Sequence, residues 1–282
     1  MNFRFRRLRL VFLTRTAMQF TPGNPANILR GALGLELQKR DPALYARVFR
    51  PCAAPPPTRE QQVYRMPSGF LAPPLPFVFR AGHLNGKLLE PGESFNFDLH
   101  LFDTRPELCA DLACAFEVIG REGIGPGRGR AELVQCTSEQ MHLALIPSRD
   151  DISAISVRFL TPTELKAGNG VAPRPEFSVL FARVRDRISA LSALYQENPL
   201  DLDFKGMGER ACGISMSRCE VQNVAVLRRS SRTGQVHPLS GFVGESHYAG
   251  TLSEFVPFLE AAQFTGVGRQ TVWGKGEIQI SF

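Results

Sequence analysis

Three observations predict an α+β chain built as a tandem of ferredoxin-like (βαββαβ) domains. Two glycine-rich segments, beginning at Gly123 and Gly266, each follow a helical pattern and precede a strand-like one. They lie 143 residues apart in a chain of 282, almost half its length, which points to an internal duplication. The hydrophobic periodicities around them fall twice into the order strand, helix, strand, strand, helix, strand. The junction is expected within residues 137–153, giving domains 1–150 and 151–282.

Residues 3–13 read as the first strand. Phe3 and Phe5 share one parity and Leu8, Leu10 and Phe12 the other, so a bulge is expected near Arg6-Arg7. Asn24-Pro25 supplies a cap and first turn, and Leu29, Leu33 and Leu37 line one face of the helix after it. Gly31 and Gly34, three apart, would admit another backbone. Asp41-Pro42 starts a short helix through Tyr45 to Phe49. Residues 51–76 are proline-rich and read as a loop excursion, an inert insertion partly in polyproline conformation. Strands are expected at 77–80 and 93–102. In the second of these Phe95, Phe97, Leu99 and Leu101 alternate with Asn96, Asp98 and His100, which puts His100 on the surface. A helix over 106–119, the loop at 123–130 and a strand over 131–136 complete the first unit.

The second unit opens with a strand at 155–160 and a helix within 174–195. Phe177, Leu180, Val184, Ile188 and Leu191 share one helical face, Arg183 and Arg187 another. Residues 219–229 and 241–248 read as strands around a basic tip containing Arg228, Arg229 and Arg232. A helix over 252–264, the glycine-rich loop and a strand over 277–282 end the chain.

The formal charge is +6, and 28 arginines stand against 5 lysines. The planar guanidinium fork suits phosphates and base edges, although a GC-rich genome would give the same bias without a ligand. Cys52, Cys109, Cys114, Cys136, Cys212 and Cys219 form no C-x-x-C pair, as expected of reduced cysteines in a cytoplasmic protein. The basic N-terminus has too short an apolar run for a signal peptide. No run of 18 uncharged apolar residues predicts a membrane span.

In the final loop, Gly266-Val267-Gly268 and Gly274-Lys275-Gly276 bracket five residues and offer Arg269, Gln270, Thr271 and Lys275 as donors. It is not a P-loop, which needs four residues before Gly-Lys and a hydroxyl after it; here Gly276 follows Lys275. The dinucleotide pattern fails at Thr271. Both nucleotide loops also run from strand into helix, the reverse of this order. Two readings stay open: amides that hold anionic oxygen without a helix dipole, or a bend that lets a helix reach an edge strand.

Gly-hydrophobic-Gly, five residues, Gly-x-Gly at the end of a double ferredoxin-like chain resembles the RAMP superfamily of CRISPR-associated proteins. Gly241-Phe-Val-Gly244, Tyr248-x-Gly250, the last helix and the Gly266 loop resemble its repeat-RNA processing endoribonuclease, specifically over residues 240–282. Arg30-Gly-Ala-Leu-Gly34 is similar to the same family. The resemblance implies cleavage of CRISPR precursor RNA within its repeats, without metal or small-molecule cofactor. The ribose 2′-hydroxyl attacks, leaving a 2′,3′-cyclic phosphate and a 5′-hydroxyl. It also implies RNA contacts by Gly266, Gly268, Arg269, Gln270, Thr271, Gly274, Lys275 and Gly276, by the tip residues Arg228, Arg229 and Arg232, and by Arg30. Family members often carry a catalytic histidine near the end of the first helical segment, but residues 24–50 contain none. Tyr45 occupies that place, with Lys39 beside it, and His247 is a substitute from the C-terminal hairpin. The alternative is a non-cleaving repeat-RNA binding subunit of a CRISPR ribonucleoprotein. A homodimer or an effector complex would be the assembly, in the cytoplasm and away from membranes.

Overall fold

The structure, a computed structural model, describes residues 1–23, 25–51, 72–196, 199–225, 227–229, 236–238 and 240–282. The expected cap Asn24, most of the proline-rich stretch, the tip residue Arg232 and the side chains of 227–229 and 236–238 lie outside it.

Two four-stranded antiparallel sheets repeat one topology. The first contains β1 (Asn2–Thr14), β2 (Phe77–Arg80), β3 (Ser94–Leu101) and β4 (Ala131–Ala144) in the order β2-β3-β1-β4. The second contains β5 (Ala154–Thr163), β6 (Ser215–Val224), β7 (Gly241–Ala249) and β8 (Ile278–Ser281) in the order β6-β7-β5-β8. Position for position these are the same, so the tandem ferredoxin-like fold is present. Helices α1 (Pro25–Arg40), α2 (Pro42–Phe49) and α3 (Pro106–Glu122) belong to the first unit. Those of the second are α4 (Phe177–Tyr195), α5 (Phe204–Ala211) and α6 (Val256–Thr265). The start of α2 follows its sequence: Asp41 Oδ1 accepts the Leu44 N–H at 2.9 Å, and Pro42 sits where a missing N–H costs nothing.

No bulge occurs at Arg6-Arg7. Pairing there is continuous on both sides, Arg7 opposing His100 on β3 and Glu139 on β4; the irregularity lies between Val11 and Phe12. The parity changes because β1 serves two cores. Leu8, Leu10 and Phe12 enter the core of the first unit, whereas Phe3 and Phe5, on the opposite face, enter the core of the second beside Val157, Leu259 and Ala262. The same cause corrects His100. It does face away from the first core, but the second unit covers it there, leaving it 4% exposed. Arg187 is likewise buried, since α4 has neighbours on both sides. Gly34 admits the ring of Phe49, 3.2 Å from where its Cβ would be, not a backbone, and nothing lies within 4 Å of Gly31's.

Candidate nucleic-acid interface

The closing loop runs from α6 to β8. Gly266, Gly268, Gly274 and Gly276 have positive φ (69°, 81°, 83° and 71°), as does Gln270 (62°). The absent side chains let the loop fold onto itself. A Cβ on Gly268 would lie 2.4 Å from the Glu164 carbonyl oxygen, and one on Gly276 only 1.9 Å from that of Val267. Several amides are turned inward: Val267 donates to Gly276 O (2.8 Å), Arg269 to Glu164 O (3.0 Å) and Gly276 to Pro162 O (3.1 Å).

Glu164 organises the loop's two cations. It accepts from Arg269 Nη1 at 2.6 Å and from Lys275 Nζ at 3.4 Å. Lys275 Nζ also donates to Ser240 O (2.7 Å) and Gln270 Oε1 (3.0 Å), so its three donors all have partners, and the residue is 2% exposed. Burial lowers the Lys275 ammonium below the usual lysine range, and the Glu164 carboxylate opposes that shift. Lys275 is thus an internal strut. The Arg269 side chain, 54% exposed, is the cation the loop shows to solvent.

The loop leans on the first unit. Val272 packs against that unit's core, and a Cβ on Gly274 would lie 2.8 Å from Ala26 Cβ in the first turn of α1. The Arg30 guanidinium sits 5.6 Å from the Trp273 ring and 5.2 Å from the Phe49 ring, within cation–π range of both. Phe49 stacks on Tyr45 with centroids 5.2 Å apart, and Arg50 lies 5.4 Å over Tyr45. The series Trp273, Arg30, Phe49, Tyr45, Arg50 therefore joins the glycine-rich loop to α1 and α2.

The stem of the loop is held from both units. An α-helix leaves its last four carbonyls without intrahelical donors. At the end of α6, Gly266 N–H reaches Ala262 O at 2.8 Å. Arg80 Nη2 donates to Gln263 O (2.7 Å) and Phe264 O (3.1 Å), His100 Nδ1 to Phe264 O (3.0 Å), and Arg187 Nε to Thr265 O (3.0 Å).

Residues 157–278, which hold this loop, match the family model of the CRISPR-associated endoribonuclease Cas6. The second unit therefore carries a Cas6-type domain. Residues 3–156 match a second family model, described as an N-terminal domain. A solved Cas6 product complex is 17% identical over 98% of this chain and 100% of that one, with a TM-score of 0.61. Thermus thermophilus Cas6 is 15% identical over 100% and 99%, with a TM-score of 0.55. A RAMP protein binding different RNA substrates is 13% identical over 98% and 100%, with a TM-score of 0.51. At these identities the likeness is one of fold, and it spans both units. No curated protein matches.

Against this Cas6 framework the residues singled out in the sequence separate into groups. Arg30, Tyr45 and the glycine-rich loop come together along the seam between the units. Lys39 does not join them: it pairs with Glu122 at 3.2 Å, nine residues and so roughly 13 Å along α1 from Arg30. His247 lies on β7, its Nδ1 2.6 Å from Ser156 Oγ and its Nε2 3.7 Å from Glu245. Arg228 and Arg229 lie on a short ribbon pairing Leu227–Arg229 with Val236–Pro238. The sequence reading missed Trp273, Phe49, Glu164 and Arg80. For Trp273 a signal existed, since the chain's one tryptophan stands inside its glycine-rich loop. Glu164 and Arg80 are far from the loop in sequence and carried none. Among the described residues no helix is long and apolar enough to cross a membrane.

Proposed function

We propose that this chain is an endoribonuclease that binds CRISPR precursor RNA and cuts it within the repeats to release guide RNAs. The observation that carries the reading is the docking of the family's glycine-rich loop on α1 and α2, which brings exposed Arg50 and half-buried Tyr45 and Arg30 into one seam with the loop. In the proposed reaction the ribose 2′-oxygen attacks the adjacent phosphorus and loses its proton. The bond from phosphorus to the 5′-oxygen breaks, and that oxygen takes up a proton. The products are a 2′,3′-cyclic phosphate and a 5′-hydroxyl, with no metal required. Of the three catalytic candidates we retain Tyr45. Its hydroxyl is the proposed proton donor to the leaving oxygen. Arg269 is proposed to meet the RNA backbone by swinging off Glu164, Arg228, Arg229 and Arg232 to grip the repeat, and Lys275 to fix the loop they work with. We keep 1–150 and 151–282 as the working domain division.

Purified protein incubated with labelled repeat RNA in EDTA should release cyclic-phosphate product, and a 2′-deoxy substitution at the scissile nucleotide should abolish the cut. Tyr45→Phe should lower the single-turnover rate by about 10²–10⁴, the usual worth of an acid or base. Undiminished cutting by that variant would remove Tyr45 from catalysis. The absence of a histidine from residues 24–50 favours a second reading, a non-cleaving repeat-RNA binding subunit. Retarded but uncut RNA would establish that reading instead. A homodimer or a CRISPR effector complex is the assembly we propose in either case.

A further inference from the structure

The end of α6 is where the glycine-rich loop begins, and the side chains that satisfy it come largely from the other half of the molecule. Arg80 closes β2 and His100 lies near the end of β3, both in the first sheet. Together they supply the donors to Gln263 O and Phe264 O, the two carbonyls that directly precede Thr265 and Gly266. Arg80 does more than cap. Its Nη1 faces Glu277 Oε2 at 3.9 Å, so one guanidinium hydrogen-bonds the chain just before the loop, at Gln263 and Phe264, and forms a long ion pair just after it, with Glu277. Its side chain is 10% exposed, so the grip lies in a low-dielectric setting where such contacts are strong. The rings of Phe5 and Phe264, 4.9 Å apart, and of Phe5 and His100, 5.2 Å apart, seal the cluster.

We propose that Arg80 and His100 are positioning residues for the glycine-rich loop: they pinch its stem against the first sheet and thereby set how the loop meets α1. Their effect passes through α6 and Glu277, and it makes the loop's geometry a property of both domains together. A cationic cap on a helix C-terminus is favourable in itself. Here the cation, Arg80, is anchored in a separate sheet, so the cap also fixes the direction in which the chain leaves the helix.

Trp273, the chain's one tryptophan, stands in the loop and reports its seating directly. Arg80→Met, carried in the full chain, should red-shift Trp273 emission and raise its quenching by acrylamide, while Arg80→Lys, which keeps a charged donor, should recover most of the native signal. Far-UV circular dichroism confirms that each variant is folded at the assay temperature. A remote core substitution of matched stability loss, Leu112→Val, should leave the emission unchanged. Should Arg80→Met not fold, His100→Leu, which removes one donor and no charge, carries the same test. Native Trp273 emission and quenching in the folded variant would overturn the proposal. A second arm rests on the endoribonuclease reading. With repeat RNA saturating, Arg80→Met should cut about ten- to a hundredfold more slowly with little change in Kd, the signature of a misplaced site. An unchanged rate in a folded variant would also overturn it. If the wild-type chain does not cut at all, the endoribonuclease reading fails, while the fluorescence arm still decides the role of Arg80 and His100.

Discussion

Lowering the pH from 7 to 5 should destabilise this protein by about 2 kcal/mol through His100 alone. The ring is buried, and its Nδ1 lies 3.0 Å from Phe264 O, a carbonyl that can only accept, so the native form is the neutral Nδ1–H tautomer. Burial first, then the nearby charges of Arg80 and Arg7, push the imidazole down to about 3, against a smaller upward pull from the Phe264 carbonyl. In the unfolded chain the same ring titrates near 6.5. Between those values the unfolded state holds a proton that the native state refuses. Stability is therefore full above about 6.5 and is lost as pH falls toward about 3, at up to ~1.4 kcal/mol per pH unit. Over the step from pH 7 to 5 the unfolded ring becomes almost fully charged and the native ring stays neutral, which gives the figure of about 2 kcal/mol. The comparison is His100→Asn, whose amide can still donate to Phe264 O but does not titrate. Urea unfolding of both proteins at pH 7, 6 and 5 removes the contribution of every other group, because those groups are shared. The wild type should lose about 2 kcal/mol more than the variant. Equal losses would refute the picture of a neutral, proton-excluding histidine between the domains.

Two further outcomes concern the loop. Gly276→Ala puts a Cβ 1.9 Å from Val267 O at a φ of 71°, so the loop must open; stability should fall by more than about 2 kcal/mol, read as a lower Tm, and an unchanged Tm would show that the loop is not closed in this way. Lys275→Met and Arg269→Ala should separate structure from contact. The first removes a buried cation from Glu164, Ser240 O and Gln270 and should cost about 3 kcal/mol or more with little change in the salt dependence of RNA binding. The second should cost under about 1 kcal/mol but lower the slope of log K against log salt by about 0.7. The reverse pattern would exchange the roles assigned to the two residues.

The repeated order of elements was legible because its signals are local: alternation in β3, Asp41-Pro42 before α2, and glycine-rich loops after α3 and α6. Legibility ended where one half of the chain covers the other. Phe3 and Phe5 looked like a register slip, and His100 like a surface residue, because alternation along a strand cannot tell a face bathed in water from one buried by a distant segment. Similarly, Lys275 and Arg269 are equivalent as letters. Only the position of Glu164, more than a hundred residues earlier, buries one and leaves the other reachable. The candidate catalytic residues were read from position along a helix. That brings Tyr45 to the loop through Phe49 and Arg30, and leaves Lys39 roughly two turns or more away at the far end of α1.

The sharing of β1 between two cores bears on how the molecule is made. Phe3 and Phe5 are synthesised ahead of the other strands of both sheets, yet their burial waits for Val157, Leu259 and Ala262, which arrive after the whole first sheet. The two units of like topology are therefore joined through one core. A gene cut at the junction would deprive the second unit of two phenylalanines of its core and leave the first unit exposing them.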